Sequence, residues 1–144
     1  MIDDKNQLPE LEACPRCGVS NALRVGQSNQ NGKLRWHEVI NCSSCGLHSE
    51  ADGVGLAPSE IRNLLIKMHG LWAIRIDDIK STANIIKVLR NSLSLDMKDA
   101  ASLIKILPGS VYSGTKAEAE WLADLLIKAG EVPTLEQISD AAIA

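Results

Sequence analysis

Aromatic side chains are scarce in this chain of 144 residues, which has no phenylalanine, one tyrosine and three tryptophans. Hydrophobic residues nevertheless make up 45% of the sequence. That fraction supports a packed core and excludes a disordered tail. The core must therefore be mainly aliphatic and alanine-rich, in one ordinary domain or two small ones.

Long apolar runs and a strong charge of either sign are also missing. No apolar run approaches the ~20 residues that a membrane-spanning helix needs, and residues 1–5 carry no apolar export segment. We therefore expect a cytoplasmic protein with no membrane partner. The net charge is -3 and the pI is about 5.6, which makes nucleic-acid binding driven by bulk positive charge an unexpected function.

Groups that could form an active site do not come together in the sequence. The Gly-Val-Gly sequence at 53–55 lacks the glycine and lysine of a phosphate-binding loop. Asp77 and Asp78 are adjacent, so on a strand their carboxylates would point to opposite faces. His69 has no obvious serine or cysteine partner. We expect no enzymatic activity.

All four cysteines stand in two C-x-x-C-G sequences. This spacing lets two thiolates reach one metal ion, and the glycine permits the turn that aims backbone amides at the sulfurs. Two such knuckles complete a tetrahedral site without an open position, which makes the site structural rather than catalytic. We predict one structural zinc ion held by the four sulfurs of Cys14, Cys17, Cys42 and Cys45.

Disulfides and redox chemistry are the alternatives to metal binding. Two disulfides would need an oxidising compartment, for which the first residues give no export signal. A redox-active C-x-x-C is expected singly, at the start of a helix that follows a strand. His37 and His48 are further candidate ligands, but four cysteines already fill the site.

The 24 residues between Cys17 and Cys42 exceed the usual spacing by about one hairpin. Residues 33–40 alternate in polarity after the turn signal Asn31-Gly32, with Leu23 and Val25 on the strand before it. The pattern predicts a zinc ribbon over residues 10–52, preceded by a loose N-terminus at 1–9.

A helix follows the ribbon. Residues 51–55 resemble a loop, and Pro58 and Ser59 then begin a helix that ends at Gly70. Because a ribbon alone has little core, we expect this helix to cap it, so that residues 10–70 form one domain.

A second domain is predicted over residues 71–132, in the order strand, helix, helix, strand, helix, with a closing strand left open. Its helices begin near Ser81, near Asp96 and at the capping box Thr115-x-x-Glu118. The second helix should run to Leu107 and bury Ile104. Pro133 disfavours a central strand, so we treat residues 133–144 as a tail that adds a helical turn or two.

Three stretches of this domain resemble the C-terminal domain of the bacterial ribosomal stalk protein. They are residues 85–90, residues 95–100 with 103–104, and residues 114–120 with 128–130, and the resemblance covers residues 72–132 in one register. It implies an α+β fold of β-α-α-β-α order that binds translational GTPases such as elongation factors Tu and G. In that family the contact surface lies on the first two helices; its matching residues here are Ile86, Lys87, Arg90 and Lys98.

The residues themselves agree with a binding surface. Ile86 and Arg90 are four apart on one helix face, with Lys87 beside them. Residues 80–107 hold five cations and two anions, so this stretch is locally basic. An exposed apolar residue among cations suits an acidic, partly apolar partner. An ordinary solvated helix face with one stray isoleucine has the same pattern, and that alternative stays open.

Departures from the stalk family are also present. Ser94 and Asp96 stand where the family has glycines, and Thr82 and Ala101 stand where it has lysines. A ribbon and a helix replace the dimerising N-terminal helices and the hinge, so the protein cannot join the stalk as a normal subunit. We expect it to be monomeric alone.

Two binding functions follow. The first is an immunity-type inhibitor, an antitoxin that neutralises a partner toxin with a stalk-like scaffold whose contact face is altered. The second is a translation-linked accessory protein that binds an elongation factor. A nucleic-acid-binding ribbon is a weaker third: Arg16, Arg24, Lys33 and Arg35 accompany Trp36, but acids offset them. Those acids are Asp3, Asp4, Glu10, Glu12, Glu38, Glu50 and Asp52.

Overall fold

The structure, a computed structural model, describes residues 13–20 and 22–138. The predicted loose N-terminus at residues 1–9 lies outside these ranges. The chain divides into two compact units between His69 and Gly70, and each has a three-stranded sheet in its described part. The expected mixture of helices and strands is confirmed. The elements are β1 (Leu23–Gln30), β2 (Lys33–Asn41), β3 (His48–Val54), α1 (Ser59–His69), β4 (Leu71–Ile76), α2 (Thr82–Leu93), α3 (Met97–Ile104), β5 (Gly109–Gly114), α4 (Lys116–Lys128) and β6 (Thr134–Ile138).

The first sheet is an antiparallel meander in the order β1-β2-β3. Gln30 pairs with Lys33, which leaves a two-residue turn at Asn31 and Gly32. Both turn residues have positive φ, 53° and 80°, as a tight hairpin turn of this type requires. The hairpin predicted from the Asn-Gly signal is confirmed.

One face of this sheet is apolar and packs against α1. Val25 on β1 forms a buried cluster with Ile61 and Leu65 of the helix, and Trp36 of β2 packs against it. The helix begins one residue after Pro58, whose carbonyl accepts a 2.9 Å hydrogen bond from the Arg62 amide. The predicted helix is confirmed, and it covers the sheet through an i, i+4 apolar pair.

The predicted loop at residues 51–55 is wrong, because β3 continues to Val54. Its residues pair with β2 along their whole length. Gly53 lies opposite Trp36, and a Cβ there would stand 2.7 Å from the indole Nε1. The glycine therefore makes room for a ring, and backbone hydrogen bonds rather than side-chain burial hold this edge strand.

The second sheet has the order β5-β4-β6, with β4 in the centre and antiparallel to both neighbours. Its core is aliphatic, as the composition predicts. Ile74 and Ile76 of β4, Ile85 and Leu89 of α2, and Leu122 of α4 are all 0% exposed.

Polar side chains begin each helix of the second unit. Ser81 Oγ accepts from the Asn84 amide at 3.2 Å, and Asp96 Oδ1 accepts from the Asp99 amide at 2.8 Å. Thr115 and Glu118 form the predicted capping box in both directions. Glu118 is fully buried and also accepts a 2.7 Å hydrogen bond from the Tyr112 hydroxyl, so the cap is part of the core.

The predicted end and burial of the second helix need correction. The helix α3 ends at Ile104 instead of Leu107, because the amides of Ile106 and Leu107 turn back to Leu103 and Ile104. Ile104 is 42% exposed rather than buried. In this eight-residue helix Ala100 is the buried residue, and Ile104 stays exposed because the helix ends at that position.

The predicted tail also needs correction. Residues 134–138 form β6, which pairs with β4 from Leu71↔Ile138 to Arg75↔Thr134, instead of a helical turn. Pro133 stands just before the strand, and β6 lies at the sheet edge, so the proline removes no ladder hydrogen bond. The remainder of the tail lies outside the described residues.

Glu131 offers a direct test of how α2 is held. Its carboxylate is buried, with 3% of the residue exposed, and accepts hydrogen bonds from the backbone amides of Lys80 and Ser81 at 3.0 and 2.9 Å. The substitution Glu131→Ala would leave both donors unsatisfied at the start of the helix. We expect it to lower the free energy of unfolding of the second unit by about 2 kcal/mol, measured by urea titration of the helix signal.

Glu136→Ala is the matched control. Its carboxylate lies on the surface, 3.9 Å from Arg75 Nε, and should contribute less than about 0.5 kcal/mol. Equal effects of the two substitutions would contradict the role given to Glu131.

Candidate metal centre

The β1–β2 hairpin brings the two knuckles together. The first knuckle comes directly before β1 and the second directly after β2. At this open end of the hairpin the Asn41 amide donates to the Ala22 carbonyl at 2.8 Å. The long gap between Cys17 and Cys42 is therefore the chain that runs up one strand and down the next.

Both knuckles have the same backbone turn. The amides of Gly18 and Gly46 each donate to the carbonyl of the first cysteine of their knuckle, at 2.9 Å. Both glycines have positive φ, 80° and 82°, which a residue with a side chain rarely adopts. The glycine after each C-x-x-C is thus required by the turn, as the sequence predicts.

The four sulfur atoms converge. They lie within 4.8 Å of one another, with Sγ–Sγ distances of 3.7 Å for Cys14–Cys45 and 3.5 Å for Cys17–Cys42. A disulfide needs about 2.05 Å, and all four thiols are free. A tetrahedron with metal–sulfur bonds of about 2.3 Å has sulfur–sulfur edges of about 3.8 Å. The predicted convergence is confirmed, and the distances fit a structural metal ion.

Backbone amides point at these sulfurs. The amides of Arg16 and Cys45 donate to Cys14 Sγ and Cys42 Sγ, both at 3.4 Å. Such donors stabilise thiolates, which are the form that binds metal. Arg16 also ties the knuckles together, because its Nη2 donates to the Cys45 carbonyl at 2.6 Å.

The pKa values of two thiols in this cluster, Cys45 and Cys17, are shifted in opposite directions. The Leu47 amide and the neighbouring thiols lower the pKa of Cys45 to about 6. The Val19 amide lowers the pKa of Cys17. The hydrogen bond between Cys17 and Cys42, the desolvation of Cys17 and the other two thiols act in the opposite direction, and together they raise this pKa to about 11. Cys17 therefore holds a proton near neutrality that a divalent cation would displace.

The two candidate histidines do not join the cluster. Among the described residues the metal-ligating group consists of the four cysteines. His48 Nε2 lies 3.2 Å from Glu50 Oε2, and His37 is an exposed side chain of β2. Their exclusion agrees with the sequence interpretation.

The four predicted partner-binding residues lie on α2 and α3, which pack against each other. Lys87 and Lys98 are exposed, whereas Ile86 and Arg90 are half-buried. Arg90 Nε donates to the Leu95 carbonyl at 3.3 Å, so the guanidinium helps to hold the α2–α3 turn. The exposure expected for Ile86 is therefore only partial.

Sequence reasoning missed an apolar stripe on α3. Met97 is 64% exposed and Ile104 is 42% exposed, and Ala101 between them is exposed as well. Their i, i+4, i+7 spacing puts them on one helix side, and the exposed Lys98 and Lys105 lie together along one edge of this stripe. The spacing was a usable signal, but Ile104 had been placed in the core.

Comparisons with protein-family models, curated proteins and solved structures find no match. The resemblance of residues 72–132 to the ribosomal stalk domain therefore stays a prediction. In the described part of the chain, no helix is both long enough and apolar enough to cross a membrane.

The metal centre can be tested by removing one ligand. We expect the purified protein to hold about one metal ion per chain and the variant Cys42→Ser to lose most of it, because a four-sulfur site needs every thiolate. Elemental mass spectrometry measures the content. Ser43→Ala, in the same knuckle, should retain the metal; full metal content in Cys42→Ser would refute the assignment.

Metal affinity should rise with pH. Cys17, with a pKa of about 11, is protonated near neutrality and must lose its proton on binding, whereas Cys45, with a pKa of about 6, is already largely a thiolate. We expect the dissociation constant to fall about tenfold per pH unit for each proton released. Competition with a chromophoric chelator, whose own pH dependence is measured separately, checks this; a pH-independent constant would contradict it.

Proposed function

We propose that the protein is a non-enzymatic binding protein, made of a zinc ribbon and a unit like the ribosomal stalk C-terminal domain. The second unit would dock a translational GTPase through α2 and α3. The single observation that carries the proposal is the exposed stripe of Met97, Ala101 and Ile104 beside Lys98 and Lys105. It lies on the helix pair where the resemblance puts the contact surface.

Zinc is the metal that the first unit supports best. Four cysteine sulfurs in tetrahedral arrangement select zinc or iron over harder cations. The site has no position left for water, so its role is structural. The unit needs such a support because its buried apolar cluster is small: Val25, Ala57, Ile61 and Leu65.

The element order of the second unit supports a stalk-like fold. The order is β4-α2-α3-β5-α4, as predicted, and β6 then follows as a closing strand. Residues 133–144 are predicted to form a tail instead, because Pro133 disfavours a central strand. With β6 paired to β4, this objection is removed.

The chemistry of the α2–α3 surface suits an acidic, partly apolar partner. Exposed apolar side chains supply contact area, and surrounding lysines supply attraction and orientation. Lys87 on α2 and Lys98 on α3 are both exposed. Arg90 is less available for a partner than expected, because its Nε donates a hydrogen bond to the Leu95 carbonyl at the α2–α3 turn.

A cognate toxin is the second candidate partner, and one observation favours it. Ala101 replaces a lysine of the family and joins the apolar stripe, which makes this surface less basic and more apolar than the family surface. A scaffold with a changed face is what an immunity-type inhibitor would use.

Charge reversal tests the surface. Lys87→Glu combined with Lys98→Glu should weaken binding to purified elongation factor Tu or G at least about tenfold, equivalent to about 1.4 kcal/mol. Isothermal titration measures the constants. Lys128→Glu, an exposed reversal on α4, should leave them unchanged.

Affinity purification from the protein's own cells decides between the partners. Recovery of an elongation factor, lost in the double variant, supports the accessory function. Recovery of one dedicated protein at equal stoichiometry supports the inhibitor and excludes the GTPase. If neither GTPase binds and no protein is recovered, the proposed function is wrong.

A further inference from the structure

The side of the first sheet that faces away from α1 carries polar and basic residues. Because side chains alternate along a strand and the register is known, Arg24 and Ser28 of β1 share this side with Lys33, Arg35 and His37 of β2. We call it the outer face. Its three cations and its histidine are all exposed.

The register of the strands shows on which side of the sheet each charged residue lies. Glu38 lies on the opposite, α1-facing side. Glu50 shares the outer face, but its carboxylate lies 3.2 Å from His48 Nε2. Asp52 is the remaining acid of the outer face in the described ranges. Within the same ranges Arg24, Lys33 and Arg35 have no ion pair, so the hairpin part of this face is positively charged in an acidic protein.

His37 presents an aromatic ring above the strand. It pairs with Gly26 on β1, and a Cβ at that glycine would overlap the imidazole, which lies over the Gly26 backbone. The glycine therefore lets the ring lie over the neighbouring strand while the side chain stays exposed. A planar ring in this position can stack with another planar group.

A small concavity adjoins this ring. Its volume is about 180 Å³, and Ser28, Gln30, Arg35, His37 and Asp52 line it. Gln30 Nε2 donates to Ser28 Oγ at 2.8 Å, which fixes both side chains at its edge. Hydrogen-bond donors and acceptors thus lie next to the ring, as recognition of the edge of a stacked base requires.

We propose that the outer face binds single-stranded nucleic acid, with phosphates on Arg24, Lys33 and Arg35 and an unpaired base on His37. Arg24 lies opposite Val39, four residues along β2 from Arg35, which separates the two cations by about 13 Å. That spread suits an extended phosphate backbone rather than one small anion. A duplex would not serve, because its bases are already stacked.

Fluorescence anisotropy with a labelled mixed-sequence RNA of about 12 nucleotides, within the site sizes known for single-strand binding, tests the proposal. The full-length protein should bind with a log–log salt slope near -2, from three phosphate contacts at about 0.7 each. Arg24→Glu with Arg35→Glu should abolish binding. His37→Ala should weaken it about 5- to 100-fold without changing the slope.

Lys87→Glu with Lys98→Glu is the matched control, because it changes the net charge equally on the second unit. RNA binding should survive it, so failure here and failure of the proposed GTPase contact are distinguishable. Metal content shows that each variant keeps the first unit intact. The proposal is overturned if RNA does not bind, if both double variants lose binding equally, or if duplex RNA binds as tightly. It is also overturned if inorganic phosphate displaces the RNA much more strongly than chloride does at equal ionic strength. Equal binding of single-stranded DNA would support it.

Discussion

The approach of four sulfur atoms at the open end of one hairpin is the constraint on which the first unit depends. Thiolates within 4.8 Å of one another repel strongly unless a cation or bound protons compensate the charge. The backbone is nevertheless arranged to favour thiolates, since amides and glycine turns point at the sulfurs. A metal ion would resolve this conflict, so the open end of the hairpin is built around a site, while the helix packs on a small apolar cluster of the same sheet.

The second unit rests on different physics. Its aliphatic residues are fully buried, and two buried carboxylates, Glu118 and Glu131, complete the starts of helices. A buried carboxylate is unfavourable unless it is hydrogen-bonded. Here Glu118 accepts a hydrogen bond from one backbone amide and Glu131 accepts hydrogen bonds from two. Each acid and its helix start therefore stabilise each other.

The features that could be predicted from sequence are those with local chemistry. Asn31-Gly32 requires positive φ, Thr115 and Glu118 satisfy each other within one turn, and each C-x-x-C-G forms one knuckle. The edge strand β3 is predicted in part as a loop and β6 is only left open, because both expose most of their side chains and no alternating apolar pattern marks them. These two segments become strands because they pair with a central strand, and that pairing is not a local property of the sequence.

The misplacement of Ile104 has a related cause, and it bears on function. An apolar residue was assigned to the core because apolar residues usually belong there, yet a helix of eight residues with one buried alanine has little inward surface. The exposed apolar residues of α3 therefore contribute little to the buried core. Charge behaves in the same way: a net charge of -3 describes the whole chain, but a partner meets one face at a time. On the hairpin, side chains alternate between the two sides of the sheet, which separates Glu38 from Arg24 and Arg35. The net charge of the chain therefore gives no sign of this basic surface.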